Sequence, residues 1–253
     1  MCIRDRSHKT SIVLVMMVFY LKQIGSSKRT ADNAKLGRLI LKLSDYGIRF
    51  WTAPKNMADS LRKALLDSED TILGLGDSTH NYPDDTITGK MNYYNLVNDE
   101  RIWNNVGLPF IKEIVGEYLK LKEGEEVAIK SWGNILRENR KVYPHVHFGV
   151  PDDYLDNPQS VCGNIFLGAD CPTATTYILD GEKIDIPNKY GQFTLFPPNL
   201  SHAVRTYKGS GVRVSAAFDV LVKSRDPQGE VSGKRWMTYT QQKYPQSWFW
   251  TEK

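Results

Sequence analysis

The sequence has little cysteine. Its 253 residues include only Cys2, Cys162 and Cys171, with no CxxC pair. Three such residues give no disulfide framework and no zinc-ribbon spacing, and a chain of this length can bury a core without such staples. We therefore expect a cytoplasmic protein. Cys162 stands in an apolar stretch and is interpreted as a small core residue rather than a nucleophile.

The chain also has little excess charge of either sign. Its 33 basic and 29 acidic residues give a formal net charge of +4, and both signs are mixed along the sequence. Domains that bind nucleic acid usually concentrate basic residues on one face or along one element. The composition therefore predicts no nucleic-acid partner.

Long apolar runs are missing as well. Residues 12–21 form a run of ten apolar or aromatic residues after Arg4, Arg6 and Lys9, which is too short for a membrane span. The residues that follow have no small-x-small cleavage pattern of a signal peptide. We expect no membrane association, and we interpret residues 1–30 as a disordered or artefactual leader to a single domain over 31–253.

The order of the expected elements indicates the fold class. Apolar residues at helical spacing predict helices over 57–67 and after Pro109. From Gly124 onward the pattern changes to short strands separated by turn residues. The expected strands are 127–136, 143–150, 161–167, 175–179, 192–196, 202–207 and 212–222. This order predicts a mainly β protein with flanking helices, a double-stranded β-helix (jelly-roll, cupin-like).

Three regions follow within that single domain. A helical preface occupies about 50–123, the jelly-roll core about 124–222, and an aromatic C-terminal extension 223–253. The extension contains Trp236, Trp248 and Trp250. Packing over the barrel is the default interpretation of such residues, and a homodimer contact is the alternative.

Three of the five histidines fall in the β half. His145 and His147 flank Val146, so on a strand both side chains leave the same face. His202 comes from a distant strand. An HxH pair alone is more often a polar surface or a satisfied core feature, but a third histidine favours a metal site for Fe, Zn, Cu or Ni.

An arginine follows the third histidine at an informative distance. Ten residues separate His202 from Arg213, and Arg213 shares one face of an apolar strand with Ser215. A buried arginine is costly unless an anion pairs with it. Because a planar guanidinium binds a carboxylate through two hydrogen bonds, the pair predicts a carboxylate-binding site beside the metal.

These residues together resemble the Fe(II)/2-oxoglutarate-dependent oxygenase superfamily, in particular its bacterial and phage branch. The resemblance covers about residues 50–222 and is strongest from 127. The matching pieces are Ser131-Trp132-Gly133-Asn134, Pro144-His145-Val146-His147, Cys162-Gly163-Asn164-Ile165-Phe166-Leu167, Gly191-Gln192-Phe193-Thr194-Leu195-Phe196-Pro197 and His202 with Arg213-Val214-Ser215.

The resemblance implies Fe(II) and 2-oxoglutarate as cofactors, with ascorbate as an optional reductant. It implies His145 and His202 as iron ligands, and Arg213 with Ser215 as the site for the far carboxylate of 2-oxoglutarate. Asn134 is a candidate for the C1 carboxylate, and an ordinary strand asparagine is the alternative. The implied reaction is a hydroxylation-type oxidation of an unidentified small-molecule or peptide substrate, with release of succinate and CO2.

The chain departs from the family pattern at the third ligand. The family usually has Asp or Glu two residues after the first histidine, and this chain has His147. Three hypotheses remain open: His147 replaces the carboxylate, Asp152 or Asp153 reaches the metal, or the position is vacant. The alternative functions are a three-histidine cupin-type metalloenzyme without 2-oxoglutarate and a non-catalytic jelly-roll binding module.

Overall fold

A computed structural model describes residues 42–75, 86–90, 96, 107–147, 154–156, 158–225 and 248–251. The chain divides into two units, Met1–Ile48 and Arg49–Lys253. Of the first unit, 42–48 are described, with a helical turn at 42–45. None of the helices in the described ranges is both long enough and apolar enough to cross a membrane.

The second unit contains ten strands and three α-helices in the described residues. The helices are α1 (Lys55–Asp67), α2 (Glu69–Leu73) and α3 (Leu108–Leu119), with 3-10 turns at Ile87–Lys90 and Lys223–Arg225. The strands are β1 (Arg49–Thr52), β2 (Glu126–Leu136), β3 (Val142–His145), β4 (Ser160–Phe166), β5 (Ala174–Leu179), β6 (Glu182–Pro187), β7 (Gln192–Phe196), β8 (His202–Val204), β9 (Arg213–Val222) and β10 (Trp248–Thr251).

The strands form two antiparallel sheets. The larger has the order β1-β7-β4-β9-β2-β10, and the smaller has the order β3-β8-β5-β6. Strands β2, β4, β7 and β9 of the larger sheet alternate along the chain with β3, the β5–β6 hairpin and β8 of the smaller one. This alternation is the topology of a double-stranded β-helix, so the fold predicted from the strand pattern is confirmed.

Strand β9 shows how the larger sheet separates its two faces. Val214, Ala216 and Phe218 belong to the main apolar core, which also contains buried side chains of α1 and α3. Because side chains alternate along a strand, Arg213, Ser215 and Asp219 occupy the opposite face, and all three are buried. One face therefore packs against the helices, and the other carries buried polar groups.

The sheets contain three strands that the sequence pattern did not predict. β1 lies in the predicted helical preface, β10 lies in the aromatic extension, and β6 follows β5 directly. The turn between β5 and β6 is Asp180-Gly181, and both residues have positive φ, 52° and 79°. An Asp-Gly pair of this kind is the usual connection of a two-residue hairpin, so the signal for β6 was present.

Strand β3 is shorter than the predicted strand 143–150. It ends at His145, and 148–150 lie outside the described residues. β3 is at the edge of its sheet, its register with β8 shifts between Val142 and His145, and it contains Pro144. Proline has no N–H for a sheet, which confines it to such edges.

Arg225 connects four parts of the domain. Its Nε and Nη2 donate to the two carboxylate oxygens of Glu125, at 2.7 and 2.5 Å. Its Nη1 donates to the carbonyls of Leu119 and Pro158, at 2.8 and 2.7 Å, and Nη2 also contacts the Lys120 carbonyl at 3.1 Å. The guanidinium therefore satisfies carbonyls that the end of α3 leaves without partners.

We expect Arg225→Ala to lower the free energy of unfolding by about 2–3 kcal/mol, because it leaves a partly buried carboxylate and several carbonyls without a donor. Urea denaturation measures this change. The matched control is Arg205→Ala, which removes the more exposed ion pair with Asp185 and is expected to cost less than about 1 kcal/mol. Equal losses of unfolding free energy in the two variants would contradict this stabilising role of Arg225.

The same ion pair has a pH dependence. The hydrogen bonds from Arg225 hold the pKa of Glu125 below its ordinary value. A carboxyl group whose pKa is lowered on folding contributes stability above its unfolded pKa, and that contribution is lost as the pH falls through the folded pKa. The stability difference between the parent protein and Arg225→Ala should therefore shrink under acid conditions.

Candidate metal and cosubstrate site

The structure brings the three predicted histidines together between the sheets. His145 ends β3 and His202 begins β8, where they are direct cross-strand partners, and His147 follows two residues after His145. The ring centroids are 4.4 Å apart for His145–His202, 5.3 Å for His145–His147 and 5.2 Å for His147–His202. Each ring offers a nitrogen, and the three nitrogens lie within 4.8 Å of one another.

Each histidine has its Nδ1 beside an oxygen acceptor. Nδ1 of His145 is 2.8 Å from the Tyr143 carbonyl, and Nδ1 of His202 is 2.9 Å from the Leu200 carbonyl. Nδ1 of His147 is 2.6 Å from Oδ1 of Asp219. A proton on Nδ1 leaves the lone pair on Nε2. All three rings are thus held in the tautomer that presents Nε2 as a ligand.

Burial favours the uncharged form of two of these rings. It lowers the pKa of His145, and together with the two neighbouring histidines it lowers the pKa of His202 well below its ordinary value. The neutral imidazole is the form that binds a metal ion. The site therefore does not have to lose protons from His145 and His202 before it binds a metal at neutral pH.

The donor set fits a transition-metal ion. Bonds of about 2 Å from imidazole nitrogen place neighbouring donors roughly 3–3.5 Å apart, and the observed nitrogens are within 4.8 Å. Only small movements of the rings are needed to close that difference. The three-histidine set contains no carboxylate, although His147 also forms a second candidate donor group with Cys162 and Asp219. Asp152 and Asp153, the predicted alternative third ligands, lie outside the described residues.

Asp219 is a site residue that sequence reasoning missed. It lies in β9 directly opposite Cys162 of β4 and Lys130 of β2, and the Cys162 thiol donates to its Oδ1 at 3.0 Å. Burial alone would raise the pKa of this carboxyl group, but His147, Cys162 and Lys130 hold it below its ordinary value. The sequence signal that could have identified Asp219 is an acidic residue in an apolar strand, on the same face as Arg213 and Ser215.

Cys162 itself is fully buried, and burial raises the pKa of its thiol well above the ordinary value. A thiol that resists ionisation is a poor nucleophile. This environment agrees with the interpretation of Cys162 as a core residue. It also makes the thiol a fixed donor to Asp219.

Arg213 is buried beside Ser215, and no carboxylate in the described ranges pairs with it. It is 2% exposed, Nη1 donates to Oγ of Ser215 at 3.0 Å, and its guanidinium carbon lies 5.4 Å from the centroid of the Phe166 ring. Its Nε has no hydrogen-bond partner in the part of the chain that the structure describes. Burial lowers its pKa to about 10, so the group stays charged at neutral pH, and no carboxylate among the described residues pairs with it.

Asn134 lies beside this arginine in β2. Its cross-strand partner is Ser215, and its Oδ1 accepts a hydrogen bond from Oγ1 of Thr88 at 2.8 Å. The amide oxygen is thereby occupied, which leaves the NH2 group as the donor side of Asn134. A donor beside Ser215 is suited to an anionic ligand.

Comparison with solved structures establishes the fold. The apo form of ThoJ, a non-heme monooxygenase, matches with a TM-score of 0.52 at 11% sequence identity, over 72% of this chain and 76% of that chain. This chain has the fold of that enzyme. The nickel complex of ThoJ matches with a TM-score of 0.50 at 12% identity, over the same shares of the two chains.

HygX from Streptomyces hygroscopicus, with nickel and 2-oxoglutarate bound, matches with a TM-score of 0.47 at 13% identity, over 72% of this chain and 85% of that chain. No protein-family model and no curated protein sequence matches the chain. At such low identity the similarity concerns the fold alone. Function has to be argued from the site itself.

Proposed function

We propose that this protein is a non-haem Fe(II) and 2-oxoglutarate-dependent oxygenase that hydroxylates a small-molecule or peptide substrate. One observation supports the proposal: three imidazoles converge on the polar interior of the same barrel in which Arg213 is buried with no carboxylate partner among the described residues. A metal ion alone leaves the arginine unexplained. A metal-chelating dicarboxylate accounts for both features.

The roles of the residues follow from their geometry. His145, His147 and His202 would hold Fe(II) through Nε2. Arg213 and Ser215 would bind the far carboxylate of 2-oxoglutarate, and Asn134 would donate to the C1 carboxylate. When bound, the iron and 2-oxoglutarate supply the oxidising chemistry, in which O2 converts the cosubstrate to succinate and CO2 and oxidises a substrate C–H bond.

The protein supplies a fixed and dry site for that chemistry. The Trp132 ring lies 5.8 Å from the ring of His147, and the Phe196 ring lies 4.6 Å from that of His202. These aromatic side chains are buried and restrict water around the ligands. A dry environment strengthens the attraction between Arg213 and a carboxylate, because charges interact more strongly at low dielectric constant.

One observation favours a second candidate, a three-histidine cupin-type metalloenzyme that does not use 2-oxoglutarate. The described donor set is entirely histidine, and a neutral ligand in place of a carboxylate leaves more positive charge at the metal. Such an enzyme needs no site for the far carboxylate of a cosubstrate. The buried guanidinium of Arg213 therefore favours the oxygenase.

The test is the formation of succinate by purified protein supplied with Fe(II), 2-oxoglutarate and ascorbate. We expect succinate from the parent protein, none from His202→Ala or Arg213→Ala, and parental yields from Arg205→Ala. Titration of 2-oxoglutarate into the Fe(II)-loaded protein accompanies the assay, because turnover without the true substrate is often slow. Tight Fe(II) binding with no binding of 2-oxoglutarate would contradict the oxygenase and favour the cupin-type enzyme.

A further inference from the structure

We propose that Asp219 is a positioning residue for the metal site, which acts through His147 to supply the negative charge that a carboxylate ligand would otherwise provide. This inference rests on the proposed function, in which His147 is the third ligand. In this role Asp219 does not contact the metal, because the imidazole of His147 lies between them. The contacts of the carboxylate carry the argument.

The first contact fixes the orientation of His147. Its Nδ1 lies 2.6 Å from Oδ1 of Asp219, whereas His145 and His202 use backbone carbonyls for the same purpose. Only His147 therefore has an ionisable group as its acceptor. A carboxylate that accepts from a ligating imidazole fixes the ring orientation and makes the ligand more basic.

The second set of contacts holds Asp219 itself. The Cys162 thiol donates to the same Oδ1 at 3.0 Å, and Lys130 is the cross-strand partner on the other side. Asp219 is 9% exposed. A buried carboxylate between two strands has little freedom to turn toward the metal, so its effect passes through His147.

The consequence concerns the charge at the metal. Three neutral imidazoles leave the full charge of a divalent ion uncompensated by protein ligands. The hydrogen bond from Nδ1 transfers part of the negative charge of Asp219 to the imidazole. His147 is therefore a stronger electron donor to the metal than an imidazole whose Nδ1 is hydrogen-bonded to a backbone carbonyl. In this way Asp219 of β9 gives His147 part of the negative charge that an acidic ligand at the same position would have.

The experiment measures Co(II) affinity and the Co(II) absorption spectrum of the whole protein carrying Asp219→Asn or Asp219→Leu. Asparagine keeps an oxygen acceptor for Nδ1–H but removes the charge, and leucine removes both. We expect about 10-fold weaker binding for asparagine and up to about 100-fold for leucine, each with a changed ligand-field spectrum. Asp185→Asn is the matched control, since Asp185 in β6 pairs with Thr176 and Arg205.

The outcomes separate this inference from the proposed function. Affinity that falls at least threefold in Asp219→Asn, with binding still measurable and Asp185→Asn unchanged, supports the positioning role. A smaller change overturns it, and complete loss of binding overturns it in favour of Asp219 as a ligand. If the parent protein does not bind Co(II) or Fe(II) at all, the proposed function fails instead. Thermal unfolding of the apo variants checks that each one folds.

Discussion

Replacement of His202 with alanine is expected to abolish stoichiometric Fe(II) binding. The residue is buried, its Nδ1 is fixed by the Leu200 carbonyl, and its ring is close to both other histidines. A metal site of three or four protein ligands gains roughly 3 kcal/mol from each, so loss of one should weaken binding more than 100-fold. Anaerobic titration with Fe(II), monitored by calorimetry, measures the change in affinity.

The control for this variant is Arg205→Ala. Arg205 follows the same strand, but its side chain is exposed and pairs with Asp185, so Fe(II) binding should stay at the parental level. His145→Ala should behave like His202→Ala. Parental affinity in His202→Ala would show that the metal binds elsewhere, and the three-histidine site would then be wrong.

Replacement of Arg213 with methionine is expected to abolish 2-oxoglutarate binding and to stabilise the metal-free protein. Loss of a buried, charge-assisted pair with a carboxylate costs about 3 kcal/mol or more, which weakens cosubstrate binding more than 100-fold. In the free protein, however, the guanidinium is buried and has no carboxylate partner in the part of the chain that the structure describes. An apolar side chain of similar length removes that cost and should add about 1–2 kcal/mol of stability.

Two measurements check whether Arg213→Met both raises the stability of the apo protein and abolishes 2-oxoglutarate binding. Thermal unfolding of the apo protein should show a higher Tm for Arg213→Met than for the parent, by a few degrees. Addition of 2-oxoglutarate with Ni(II) should raise the Tm of the parent beyond the effect of Ni(II) alone, and should add nothing in the variant. Arg213→Lys keeps the charge without the two-pronged geometry and should bind at an intermediate level. A variant that binds 2-oxoglutarate like the parent would contradict the carboxylate site.

The sequence predicts much of this site because its chemistry depends on local spacing. The strand pattern predicts His145 and His147 on one side, although β3 ends at His145, and the alternation of β9 gives Arg213 and Ser215 a common face. The same alternation, applied four residues further along β9, identifies Asp219. That residue was missed because a single acid in an apolar strand has many ordinary explanations until a partner is known.

The remaining features depend on contacts between distant parts of the chain. Asp219 of the larger sheet contacts His147, which follows β3 of the smaller sheet, and Arg225 binds a carboxylate 100 residues earlier in the sequence. Strand β3 ends early because Pro144 and the shift in register with β8 interrupt its pairing. None of these three features can be read from the hydrophobic pattern of a single segment.

The most direct test of the account is anomalous X-ray diffraction from crystals of the protein soaked with Ni(II) and 2-oxoglutarate under anaerobic conditions. We predict an anomalous peak about 2 Å from Nε2 of His145, His147 and His202. We also predict density for 2-oxoglutarate that connects the metal to the guanidinium of Arg213. A peak away from these three rings, or a cosubstrate whose carboxylates do not contact Arg213, would contradict the account.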